Sequence, residues 1–203
     1  MTKGNLTGLA VLCAFSLPAV ALEVTGNAGY MSEYIFRGIP QDDSSAMGGL
    51  DVTEGGFYLG TWGADVGQGL EVDVYGGYGG EIGEVSYGIG ATGYFYTDDF
   101  DDDYREVNLS LGWKYFSIAA AIGEYDNFED PTQDYTYIAP RVDYEGFYAL
   151  AGFFSQDFDG EYYELGYGNT FEPLGVDYTI SGIYSSDKLL GETSGETSRV
   201  ISV

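Results

Sequence analysis

The most constraining stretch is residues 56–80, GFYLGTWGADVGQGLEVDVYGGYGG. Its second half alternates strictly, with Leu70, Val72 and Val74 interleaved with Glu71, Asp73 and Tyr75. A period of two places the two sets on opposite faces of a β-strand. One face is apolar and the other carries carboxylates, so the two sides must meet different surroundings. The first half, Phe57 to Ala64, mixes aromatic, aliphatic and glycine residues and holds little that favours helix. The two halves, joined by a Gly-bearing loop, fit a hairpin of a membrane β-barrel with lipid outside and a wet lumen inside. A half-buried strand of a soluble sandwich alternates as well, so the rest of the chain has to decide.

The connections decide it. Twelve strand-like segments follow one another: Glu23 to Arg37, Ala46 to Thr53, the two halves of the hairpin above, 85–96, and Tyr104 to Trp113. Then come a segment carrying Phe116, Ile118, Ala120 and Ile122, one carrying Ile138, Val142 and Tyr144, and 147–154. Tyr162 to Phe171, a segment from Val176 to Ser181, and Thr197 to Val203 complete the set. Pro140 sits inside the eighth and cannot donate to a ladder, so a bulge is expected there. Odd connections are long and mostly acidic: IPQDDSS, DVGQG, TDDFDDD, DNFEDPTQD, QDFDG and KLLGETSGE. Even ones are short: EGG, GEIG, KY, EG and EPLG. Long external loops alternating with short periplasmic turns on an even strand count describe an outer-membrane barrel. A soluble sandwich has no reason to sort its loops by parity.

Composition narrows the function. Glycine is 32 of 203 residues, with 20 Tyr and 12 Phe, which suits a barrel with bends and aromatic interfaces. A formal charge of −26 with only seven basic residues argues strongly against a nucleic-acid or anionic-membrane-surface partner, because binding phosphate needs Lys and Arg. Residues 1–21 read as a signal peptide: Lys3, an apolar run from Leu6 to Leu17, and Ala19-Val20-Ala21 as the cleavage site. Leu12 before Cys13 argues against lipidation, and the chain from Leu22 onward has no Cys and no His. Ser-His and Cys-His nucleophiles and most zinc or copper sites are thereby excluded. The expectation is a non-enzyme without cofactors. TDDFDDD and DFDGEYYE are rich in calcium-type ligands but fit no calcium-loop spacing; they read as solvated loops, or as weak divalent sites beside lipopolysaccharide phosphates.

Three pieces carry a family likeness: Ser32-Glu33-Tyr34-Ile35-Phe36-Arg37-Gly38-Ile39 with Gln41, Gly56-Phe57-Tyr58-Leu59-Gly60-Thr61-Trp62-Gly63, and Glu71-Val72-Asp73-Val74-Tyr75-Gly76-Gly77-Tyr78. In order and spacing they resemble the TorF-type porin family of Gram-negative bacteria. The resemblance implies an outer-membrane β-barrel that conducts small solutes, and it carries over no catalytic or binding residue. One departure is the end of the chain. Such barrels usually finish on an aromatic residue, whereas this one stops at Val203 after a last segment of about seven residues, short of the roughly 9–11 that span. The expectation is that its last few residues are missing.

The expected architecture is therefore all-β: a signal peptide (1–21) and an antiparallel transmembrane β-barrel of about twelve strands (22–203). Typical strand spacing and tilt give a backbone diameter of roughly 24 Å and an open lumen of about 10 Å or less. The lumen should receive Glu23, Glu33, Asp51, Glu71, Asp73, Glu106, Asp143, Glu164 and Asp177, opposed by Arg37, Lys114 and Arg141. Glu33 and Arg37 share a face if strand one runs on to Arg37; Arg37 then pairs with Glu33 or with carboxylates across the barrel, as a brace or as a selectivity element. Trp62, Trp113 and the many tyrosines read as interfacial girdle. The function expected is a passive, cation-leaning pore for ions or small solutes. The alternative is a structural or adhesive barrel with a closed lumen, followed by a barrel enzyme and a soluble secreted β protein. Expected partners are outer-membrane lipid, lipopolysaccharide, small solutes and the barrel-assembly machinery during insertion.

Overall fold

The structure, a computed structural model, describes residues 22–191 and 194–203. The expected signal peptide lies outside these residues. The chain runs β1 (Glu23–Met31), β2 (Tyr34–Phe36), β3 (Ile39–Asp42), β4 (Ser45–Glu54), β5 (Phe57–Asp65), β6 (Leu70–Ile82) and β7 (Val85–Tyr96). It continues through β8 (Tyr104–Trp113), β9 (Phe116–Tyr125), β10 (Gln133–Tyr144), β11 (Phe147–Gln156), β12 (Gly160–Phe171) and β13 (Val176–Ser185). A single helical turn, α1 (Asp187–Leu190), precedes β14 (Glu196–Ser202). β1 and β4 to β14 close in sequence order into an antiparallel barrel of twelve strands, and β2 with β3 forms a separate hairpin.

Closure satisfies the backbone hydrogen bonds that no membrane interior could satisfy. The outward face is apolar: Leu50, Leu59, Ile89, Val107, Leu111, Ile122, Leu165 and Ile180 are all exposed, on strands of which most are 9–13 residues long. That face suits lipid, and that length suits a tilted crossing. The first half of the parity pattern also holds in space. β4–β5, β6–β7, β8–β9 and β10–β11 are joined by two-residue turns at one end, where Glu145 and Gly146 both have positive φ (50° and 88°). The longer acidic loops stand at the other end. There Asp159 holds Lys188 of α1 at 3.1 Å and raises the pKa of that exposed ammonium.

Three expectations are corrected. Strand one does not run to Arg37: β1 stops at Met31 and the chain then turns away from the wall. The stretch expected as the loop IPQDDSS begins with β3 instead. Pro140 makes no bulge, since the register of β10 with β9 is continuous from Ala139–Ala119 through Pro140–Ile118 to Arg141–Ser117. On the β11 side the ladder skips Ala139 and Pro140 and resumes in the same register at Arg141–Leu150. At the seam, β14 meets β1 through Met31–Ser202 and a reciprocal backbone pair between Tyr30 and Val203, each bond 2.9 Å.

Glycine and tyrosine are abundant for a shared reason. Tyr58, Tyr75, Tyr135, Tyr148 and Tyr162 each lie across a glycine of a neighbouring strand, at Gly77, Gly60, Gly123, Gly166 and Gly152, where a Cβ would collide with the tyrosine side chain. A bare backbone covered by an aromatic ring keeps the sheet close-packed where a second side chain has no room.

The orientation test follows from the two ends. Asp130→Cys, on an exposed long loop, should react with an impermeant maleimide in intact cells, and Glu145→Cys, on a short turn, should not.

Candidate functional site: a hairpin folded into the lumen

The β2–β3 hairpin turns on Arg37 and Gly38, both at positive φ (48° and 83°), a two-residue turn between Phe36 and Ile39. Glycine is needed at 38 twice over, because a Cβ there would also strike the Tyr162 ring. The hairpin leaves the wall after β1 and crosses the inside of the barrel. Its tip leans toward β13, two strands round the wall from β1: Gly38 accepts a hydrogen bond from Ser185 Oγ of β13 at 2.6 Å. Near its base, Tyr34 donates to Glu71 of β6 at 2.7 Å.

Arg37 is the fastening. Its guanidinium makes a two-pronged pair with Glu106 of β8, at 2.8 Å and 2.7 Å. The side chains are 7% and 0% exposed. The guanidinium also lies 4.4 Å from the Tyr137 ring centroid and 4.9 Å from that of Phe36. A fork-to-fork geometry with ring faces around it is what arginine offers and lysine does not. Glu106 is saturated: Tyr94, Tyr135 and Asn108 donate to it as well, at 2.7, 2.8 and 2.6 Å. Each lone pair is used, so the buried charges are compensated.

Apolar packing follows the two faces of β2. Tyr34 and Phe36 join Ala64, Val66, Met31, Met47, Trp62 and Phe100. Ile35 packs against the cluster of Ala121, Tyr137, Ala139, Tyr162 and Ile183. The hairpin is thus the middle of the barrel's interior core. Trp62 belongs to it, facing inward against Tyr34 with ring centroids 5.8 Å apart, which corrects its assignment to the girdle. Tyr94, Tyr125, Tyr135, Tyr137, Tyr148 and Tyr162 are likewise buried inside rather than set at the interface. Trp113 is exposed beside the β8–β9 turn, where its ring lies 4.6 Å from the Lys114 ammonium.

The hairpin contacts mark which strand residues face inward, and the period of two extends that to their neighbours. Glu71, Asp73 and Glu106 are buried beside the hairpin. Glu71 Oε2 and Asp73 Oδ1 have no hydrogen-bond partner among the described residues. Asp51 accepts from Tyr75 at 2.7 Å, and Glu164 accepts from Tyr148. Arg141 pairs with Asp143 at 2.7 Å and stacks 4.0 Å from the Tyr148 centroid. Asp177 accepts from Thr170 at 2.6 Å. Glu23 shares the inward parity of β1, paired in register with Thr53. Lys114 instead sits in the β8–β9 turn, 3.6 Å from Glu84. Glu33 stands apart, in the bend before the hairpin; of the two partners expected for Arg37, Glu33 and a carboxylate across the barrel, it is the second, Glu106, that pairs with it.

The inside is lopsided. Large rings, including the stacked Tyr104 and Tyr125 (centroids 4.3 Å apart), fill the long-loop half together with the hairpin. Toward the short turns, β7, β8 and β9 line the inside with small residues (Gly88, Ser110, Gly112, Ser117 and Ala119), whereas β5, β10 and β11 place Tyr58, Arg141 and Tyr148 there.

A sequence model of the Gcw_chp family, described as a bacterial protein family of unknown function, matches residues 16–172. That is most of the chain. The chain belongs to this family. Among curated proteins no sequence match is found. Among solved structures it is similar to OccK2 (OpdF) of Pseudomonas aeruginosa, with 13% identity and a TM-score of 0.49, over 89% of this chain and 66% of that one. The same porin in complex with glucuronate gives 12%, 0.47, 89% and 67%. OpdK of the same organism, with vanillate, gives 15% and 0.44 over 88% of this chain and 64% of that one. The chain spans about two thirds of the length of these porins.

Removing one partner of a buried pair strands the other charge and typically costs about 3–5 kcal/mol. Arg37→Ala and Glu106→Gln should each lower the temperature at which the folded barrel loses its heat-modifiable gel migration. In the double variant the two losses should not add, because the second removes a charge already stranded.

Proposed function

We propose that this Gcw_chp protein is an outer-membrane pore of the TorF type, exported by its leader, inserted by the barrel-assembly machinery, and selective for small cations. The observation that carries this reading is the hairpin bolted across the lumen by Arg37 and Glu106. A barrel that served only as a membrane anchor would have no need of a constriction element held by a fully used carboxylate. The inward carboxylates Glu23, Asp51, Glu71, Asp73, Asp143, Glu164 and Asp177 outnumber the inward cation Arg141 once Arg37 is neutralised by Glu106. Carboxylates around a narrow low-dielectric passage favour cations. The work done is passage rather than chemistry.

One observation favours a second reading, a closed structural barrel: the rings of Tyr94, Tyr104, Tyr125, Tyr135 and Tyr137 crowd the half that the hairpin crosses. Purified protein in a planar bilayer separates the two. The pore reading expects discrete conductance steps and, in a KCl gradient, a reversal potential of the cation-selective sign. Asp51→Asn combined with Glu164→Gln and Asp177→Asn should move that potential toward zero. Absence of steps would favour the closed barrel, and an anion-selective sign would overturn the cation preference.

A further inference from the structure

Nearly every described cation has a carboxylate partner. Arg37 pairs with Glu106, Arg105 with Asp126, Lys114 with Glu84, Arg141 with Asp143 and Lys188 with Asp159. Among the described residues Arg199 has none, in a chain with 33 acidic side chains. Its position is equally unusual. On β14 the exposed residues Thr197, Arg199 and Ile201 alternate with the half-buried Ser198, Val200 and Ser202, so Arg199 points out of the barrel.

Directly opposite Arg199 on β13 is Gly182, outward and exposed, with open space where a Cβ would stand. The same outward row continues through Leu165 of β12 to Ala149 of β11. The two small residues, on either side of Leu165, leave a furrow of about 800 Å³ in the outer wall, lined by Phe147, Leu165, Tyr167 and Ile180, with Arg199 at one end. On the long-loop side the next outward row holds Tyr163 and Tyr184, exposed tyrosines of the kind that sit at headgroup level.

A guanidinium on a lipid-facing wall is costly unless it reaches an anion. Arginine in particular matches a phosphate with two parallel hydrogen bonds. We propose that this furrow is a binding site for an acylated phosphate lipid of the surrounding membrane, with the phosphate on Arg199 and an acyl chain over Gly182 and Ala149. The inference rests on the chain spanning a membrane, and not on its being an open pore.

Native mass spectrometry of the detergent-solubilised full chain tests it, with dioleoyl phosphatidic acid, dioleoylglycerol and inorganic phosphate as probes. The expected result is retention of phosphatidic acid about tenfold above dioleoylglycerol, the size of a charge-assisted hydrogen-bond contribution. Arg199→Gln should abolish that preference. Gly182→Leu, which fills the furrow without altering the cation, should weaken retention of both lipids. Equal retention of the two lipids by the natural chain, or an unchanged preference in Arg199→Gln, would overturn the proposal. So would unchanged retention in Gly182→Leu, which also covers an Arg199→Gln that fails to fold. Displacement of phosphatidic acid by inorganic phosphate would make this a free-anion site and overturn the lipid assignment. Both variants should keep the conductance of the natural chain, so failure of the lipid site and failure of the pore reading are read separately.

Discussion

The ion pair between Arg37 and Glu106 is the interaction on which the interior depends. Removing two charges from water costs more than their attraction returns, unless the geometry is good and the remaining lone pairs are used. Here both conditions hold: the contact is two-pronged, and Tyr94, Tyr135 and Asn108 take up the rest of the carboxylate. The pair therefore specifies a place more than it adds stability. It sets the hairpin tip against β8, and Tyr34, Ile35 and Phe36 then have only one way to pack. Without such a fixed point, a short polar-tipped hairpin inside a wide barrel would have several comparable positions.

The wall was legible in the sequence and the inside was not. Leu70 to Tyr75 alternate between the outer and the inner face of the barrel, and turns such as Glu145-Gly146 punctuate the strands, because both are local rules. The hairpin escaped because its own alternation continues that of β1 through Tyr34 and Phe36, so the two read as one long strand. The signal that betrays it is Arg37-Gly38 between Phe36 and Ile39, a two-residue turn flanked by apolar residues. The partner of Arg37 could not be read at all. Glu106 is 69 residues away, and only closure of the barrel brings it near. The inward tyrosines were misassigned for a related reason: tyrosine suits an interface and a wet, ring-lined lumen equally well, and composition does not distinguish them.

Composition and architecture meet in the coupling of glycine with tyrosine. A barrel whose interior were lined throughout by large side chains would be solid, and one lined by small ones would be wide. This chain does both. Rings lie over bare backbone at Gly123 and Gly152 where the hairpin crosses, and Gly, Ser and Ala line β7, β8 and β9 toward the short turns. Part of the acidic excess faces inward, at Asp51, Glu71, Asp73 and Glu164.

The central claim is that the hairpin narrows a passage and does not merely fill a core. Single-channel conductance of a variant in which residues 33–42 are replaced by a short Gly-Ser link tests it most directly, provided the variant retains heat-modifiable migration. The account predicts a conductance several-fold above that of the natural chain, with weaker cation selectivity because the constriction is gone. An unchanged conductance in a folded variant would contradict it.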